Sequence, residues 1–204
     1  MKNTVTIITG SATGVGRATA LKIASLGGFV VINYLSSEKE ALQTAKDCEN
    51  IGAEVLVVQG DVSSNEDCQK VVSQTIQKWG RLDHLVNNAA QTKTVPYSDL
   101  ENLNAQDFEK IFAVNVIGSY QMTRAAAAEM KKQEQAAIVN ISSTAGINGV
   151  GSSIAYASSK GALNTMTLAF ARSLAPKIRV NSVCPGFIEG GWWKKIKGEE
   201  EYQL

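Results

Sequence analysis

The stretch "VTIITGSATGVGRATA", residues 5–20, decides the fold. Its first five residues are all β-branched, which favours a strand. That strand runs directly into Gly10, Gly14 and Gly16, and a helical pattern follows. A strand that turns on glycines into a helix exposes unpaired N–H groups and the positive end of the helix dipole, and both attract a phosphate. A tight turn alone would explain one or two of these glycines, hardly three. The spacing is G-x3-G-x-G, so it is neither G-x-G-x-x-G nor a P-loop, which would need Gly-Lys-Ser/Thr after it. Gly10, Ser11, Thr13, Gly14, Val15 and Gly16 are the expected phosphate-binding turn.

Outward from this turn, strand-like runs alternate with helical segments. The runs are residues 29–33, 54–59, 84–88, 137–142 and 178–183, which with residues 5–9 make six. Between them, stretches such as "VGRATALKIASLGG" and "EDCQKVVSQTIQKWG" repeat apolar residues at three and four and end on Gly. Such alternation implies an α/β fold, a doubly wound parallel sheet with helices on both faces and right-handed crossovers. At 204 residues, 44% of them apolar, the chain fits one well-buried domain spanning 1–204.

Twenty basic and nineteen acidic side chains leave a net charge of +1, which draws in neither nucleic acid nor an anionic membrane. A small-molecule partner is expected. Cys48, Cys68 and Cys184 are widely separated, no CxxC occurs, and His84 is the one imidazole, so no metal site is expected. The first ten residues are too short and polar for a signal-peptide core or a membrane span, which fits a reducing, cytoplasmic setting.

An acid about 20 residues beyond a dinucleotide fingerprint binds the ribose 2′-hydroxyl. Here the second strand ends in Asn33, Tyr34, Leu35, Ser36 and Ser37, with Lys39 nearby and no carboxylate to repel a 2′-phosphate. NADP(H) is therefore expected ahead of NAD(H), with Asn33, Tyr34 and Ser36 at the adenosine ribose.

Farther on, "YASSKGAL" sets Tyr156 and Lys160 four residues apart among small side chains. On a helix they are neighbours on one face. A free phenol at pKa about 10 is a poor proton donor near neutrality, and an adjacent ammonium lowers it by about 1 to 3 units. The small neighbours would let a cofactor approach that face.

These motifs fall in an order that resembles the short-chain dehydrogenase/reductase family, and within it the 3-oxoacyl-carrier-protein-reductase type. The matching stretches are "TGSATGVG" (9–16), "GDV" (60–62), "GRLDHLVNNAA" (80–90), "VNV" (114–116), "ISS" (141–143), "YASSK" (156–160) and "RVNSVCPG" (179–186). The resemblance implies a Rossmann-type sheet and an oxidoreductase. It places Asp61 and Val62 at the adenine, and Asn88, Ala89 and Ala90 along the cofactor. Pro185, Gly186 and Ile188 would pass over the nicotinamide. Asn115, Ser143, Tyr156 and Lys160 would form the catalytic set, with Ser143 rather than Ser142 as the serine and Lys160 also gripping the nicotinamide ribose. Ala90 stands where the family commonly has Gly, and Gly190 where Thr is common.

The family's pattern continues with a further helix and a seventh strand that these 204 residues lack. The resemblance thus implies that the functional unit extends beyond them and that "IRVNSV" is left as an open edge. "EGGWWKKIKGEEEYQL" reads as either a solvated tail or a flap that covers apolar surface with its paired Trp. The resulting expectation is hydride transfer between NADP(H) and a carbonyl or secondary alcohol, with loops near 91–100 and from 187 onward shaping the substrate pocket. The alternative is a catalytically idle NADP(H)-binding sensor or partner subunit. Homo-oligomers, tetramers or dimers, are expected through small-residue faces at 125–130 and 162–175.

Overall fold

The computed structural model describes residues 1–188. Six strands, β1 (Val5–Ile8), β2 (Phe29–Tyr34), β3 (Val55–Gln59), β4 (His84–Asn87), β5 (Ala136–Ile141) and β6 (Ile178–Val183), form one sheet in the order β3-β2-β1-β4-β5-β6. Every neighbouring pair is parallel. The strand order therefore reverses between β1 and β4, and such a reversal opens a crevice at the carboxyl ends of those strands.

Side-chain alternation along β1 explains both layers. Val5 and Ile7 join one cluster, with residues of α3 (Asn65–Trp79), α5 (Ser119–Met130) and α7 (Ile154–Leu174). Ile8 joins the other, with α1 (Gly14–Ser25) and α2 (Glu38–Asn50). A sheet covered on both faces needs near-continuous apolar strands, which is how β1 and β2 read, whereas the edge strand β6 alternates. Helix starts are fixed locally: the Ser64 hydroxyl accepts from Asp67 N, and Asn104 and Asp107 form a reciprocal capping box before α4 (Ala105–Phe112).

Strand ends differ from the expected ones by a residue; β1 and β4 each stop one short, where Thr9 and Asn88 enter the turn described below. Ala113–Gly118 winds as a π-helical turn between α4 and α5. A short helix, α6 (Ala145–Asn148), lies against α7. No helix among the described residues is long and apolar enough to cross a membrane. Expectations for Gly190 and the Trp-rich tail lie outside the described residues.

Candidate active site

The glycine turn is shaped from beneath. Gly10 (φ 60°) and Gly14 (φ 58°) are left-handed, a conformation that costs glycine little. A Cβ on Gly16 would fall 2.6 Å from Asn88 Nδ2 and 2.7 Å from Gly10 O, so the start of α1 packs against the turn only as glycine. The Thr9 hydroxyl accepts from both Asn88 N and Ala89 N at 2.9 Å. Asn88 Nδ2 donates to Thr9 O and Gly10 O. From the other side, Asn33 Oδ1 accepts from Gly10 N while its Nδ2 donates to Gly60 O. Ser11 Oγ donates to Ile8 O and accepts from Asn33 N.

Ser11, Asn33 and Asn88 thus use side-chain polar atoms to hold the loop. Thr13 and Gly14 stand exposed at its lip, with Val15 half-buried beside them. Thr9 was missed in the sequence because a β-branched residue at a strand end hides its hydroxyl's use. A cradle that a Cβ on Gly16 would fill, at the N-terminus of a twelve-residue helix, fits a diphosphate.

At the tip of β2, Tyr34 is buried and hydrogen-bonded to Glu38. Burial first, then the Glu38 charge and that hydrogen bond, hold its phenol above the usual tyrosine value. Glu38, in the first turn of α2, is a carboxylate near the adenosine ribose position that the strand-end reading did not include. Ser36 is exposed. Asp61 accepts from Ser63 N and Oγ at 2.8 and 2.7 Å, and Val62 is buried against Gly118.

The structure brings Ser143, Tyr156 and Lys160 together. Ser143 follows β5, and its side chain hydrogen-bonds to that of Tyr156 on α7. Ser142 instead turns inward, its Oγ donating to Lys160 O at 3.1 Å. Tyr156 is 8% exposed; burial raises its phenol above 10, and the Ser143 hydrogen bond works in the opposite sense. Lys160 is 2% exposed, and burial pulls its ammonium down to about 8.

Lys160 Nζ donates to Ile141 O at 2.8 Å and lies 5.7 Å from the Tyr156 ring centre, and burial is the leading influence on the phenol. The small residues around the pair also serve packing. A Cβ on Gly146 would fall 2.5 Å from the Lys160 carbonyl carbon, and Ala145, Tyr156 and Ala157 form a small apolar cluster.

Asn115 sits fully buried in the π-helical turn, with Oδ1 accepting from Gln91 N and Nδ2 donating to Gln91 O and Ser159 Oγ. It braces the cleft from behind. Pro185 O accepts from Thr144 N at 2.9 Å, so the segment through Gly186 and Ile188 crosses beside Ser143, while Ala89 packs on Gly10 and Ala90 is exposed. No cluster of metal-binding side chains occurs among the described residues.

A doubly wound parallel sheet with a glycine turn at its reversal defines the Rossmann-type class of nucleotide-binding folds. The sequence pattern of the short chain dehydrogenase family matches residues 4–201, and this chain belongs to that family. A ketoacyl reductase named for the granaticin polyketide synthase of Streptomyces violaceoruber is 37% identical over 92% of this chain and 74% of its own length. An oxidoreductase of Thermotoga maritima is 41% identical over 89% of this chain and 70% of its own. Among solved structures, a short-chain dehydrogenase/reductase from Burkholderia xenovorans superposes with a TM-score of 0.92 at 42% identity, covering 95% of this chain and 81% of that one. The NAD+-bound xylitol dehydrogenase superposes with a TM-score of 0.89 at 29% identity, covering 96% and 75%. The chain is an oxidoreductase of the NAD(P)-dependent dehydrogenase and reductase kind.

Proposed function

We propose that the chain moves a hydride between NADP(H) and a carbonyl or secondary alcohol, with Tyr156 as general acid and base. The observation that carries this reading is the Ser143–Tyr156 hydroxyl pair beside the buried Lys160, at the end of the sheet where the glycine turn opens. The nicotinamide supplies the hydride. Thr13, Gly14, Val15 and Gly16, at the start of α1, hold the diphosphate; Tyr34 and Ser36 meet the adenosine ribose, and Asp61 and Val62 the adenine. Ala89, Ala90, Pro185, Gly186 and Ile188 flank the nicotinamide, and Lys160 grips its ribose.

Ser143 donates to the substrate oxygen as charge develops there. Tyr156 delivers the proton that the alkoxide needs. The Lys160 ammonium, close to the ring, stabilises the phenolate left behind. Asn115 supports the site through its contacts with Gln91 and Ser159. The free cysteines fit a reducing, cytoplasmic setting, and a homo-oligomer completes the reading.

The test is a pattern of variants. Tyr156→Phe should cut turnover of a carbonyl substrate by about 10² to 10⁴ while NADPH still binds. Ser143→Ala should lower turnover with NADPH affinity unchanged, as for a donor that acts on developing charge. A Tyr156→Phe protein that turns over at the parental rate would remove the mechanism. A parent that binds NADPH but turns over no carbonyl or alcohol would favour an idle cofactor-binding subunit.

A further inference from the structure

We propose that Ser159 is a positioning residue of the active site: its hydroxyl locks the Asn115 amide and, through it, fixes the Gln91 backbone against the helix that carries Tyr156 and Lys160. This deepens the proposed function and rests on that reading.

Ser159 is 0% exposed and lies between Tyr156 and Lys160 in sequence, with its hydroxyl turned toward the π-helical turn. That hydroxyl donates to the Tyr156 carbonyl at 2.7 Å, so its proton is committed. Its oxygen can then only accept, and it accepts from Asn115 Nδ2 at 2.9 Å. The remaining Nδ2 hydrogen goes to Gln91 O at 3.0 Å, and Oδ1 takes Gln91 N at 2.7 Å. A reversed amide would set Oδ1 against two acceptors and Nδ2 against a donor. Ser159 and Gln91 therefore select one orientation of Asn115 between them.

What this orientation fixes is a wall of the cleft. Gln91 follows Ala89 and Ala90 at the carboxyl end of β4. The segment after it is fastened at its far end too: Thr92 Oγ1 pairs with Ser152 Oγ, Val95 N donates to Ser152 O at 2.9 Å, and the Tyr97 hydroxyl donates to Ser153 O. Ser153 is the N-cap of α7, its hydroxyl accepting from Tyr156 N. Residues 91–97 are thus strapped across the catalytic helix, from Ser159 in its second turn back to Ser153 at its cap. Removing the Ser159 hydroxyl leaves one of the two buried Nδ2 hydrogens without its acceptor, and that loss loosens the amide.

The experiment compares the full-length parent with Ser159→Ala, Ser159→Thr and Asn115→Asp. Hydrogen–deuterium exchange in peptides covering residues 88–95 reads the strap without any need for turnover. We expect exchange there to quicken at least tenfold in Ser159→Ala and in Asn115→Asp, to stay parental in Ser159→Thr, and to be unchanged in β5 in all three. Unchanged protection of 88–95 in Ser159→Ala, or equal loosening of β5, would overturn the proposal. In kinetics, Ser159→Ala should lower kcat about tenfold with NADPH affinity within twofold, and should add no further loss in an Asn115→Ala background. Losses that multiply in the double variant would show that Ser159 acts independently of Asn115 and sink the idea. A parent without turnover would defeat the functional reading alone, since the exchange result still decides the positioning role.

Discussion

Among the described residues Lys160 heads the fully buried side chains by size, and an ammonium in that position carries a desolvation cost. The unfolded lysine keeps its proton up to about 10.5, whereas the folded one releases it near 8. Between those pH values the unfolded state binds more protons, so stability rises with pH; below 8 the burial cost is fully present. Lys160→Met should therefore be more stable than the parent at pH 7, and its advantage should shrink as pH climbs from 8 to 10.5. Urea unfolding of both proteins at pH 7, 8.5 and 10 checks this, and an advantage independent of pH would show that the buried charge is not the cause. At this scale the sequence was partly legible. The family resemblance singled out Ser143, and the structure turns Ser143 toward the phenol and Ser142 away. The sequence did not reveal that Ser11, Asn33 and Asn88 face inward, or that Lys160 turns to Ile141 O, because those partners lie 19 to 78 residues away in the chain.

At the scale of elements, the proposed preference for NADP(H) is tested at the junction of β2 and α2. β2 ends without an acid, yet α2 brings the Glu38 carboxylate onto Tyr34. NADPH should still bind more tightly than NADH, and Glu38→Gln should widen the gap by removing a charge that repels a 2′-phosphate. Fluorescence titration with both cofactors measures it; an NADH preference of tenfold, about 1.4 kcal/mol, would reverse the assignment. The contact of α6 with α7 is a second test. Because a Cβ at Gly146 meets the Lys160 backbone, Gly146→Val should push α6 off α7, costing about 1 to 3 kcal/mol and weakening NADPH binding with it. Thermal melts beside cofactor titrations would expose a purely local effect as a loss in one without the other. All six strands were legible, since short β-branched runs alternating with helical patterns are distinctive, with ends off by a residue. The π-helical turn was not: one extra residue per turn leaves "FAVNVIG" with the same apolar content as a regular helix, and only the buried demand of Asn115 for Gln91 and Ser159 makes the wider turn worthwhile.

For the molecule as a whole, the open question is what covers the outer face of α5 and α7. Within "AAAAEM", Ala126 and Met130 turn inward onto the sheet. The face that remains is different in kind. Ile117, Tyr120 and Leu168 are 51%, 45% and 60% exposed, and Tyr120 stacks on Phe170 at 5.8 Å, joining the two helices into one apolar surface. Single exposed apolar residues are ordinary, but a joined surface across two long helices suits a second copy of itself, because a two-fold axis sets the same patch on both sides. Arg124, over the Tyr120 ring at 5.8 Å, supplies a polar edge to it. We therefore predict a dimer or tetramer in solution. Leu168→Glu should reduce the assembled mass while leaving the circular dichroism unchanged, since the side chain it replaces touches little of its own core. Light scattering on both proteins decides the matter: a parent that is already monomeric at tens of micromolar, or a Leu168→Glu variant that assembles as the parent does, would remove this face from the assembly.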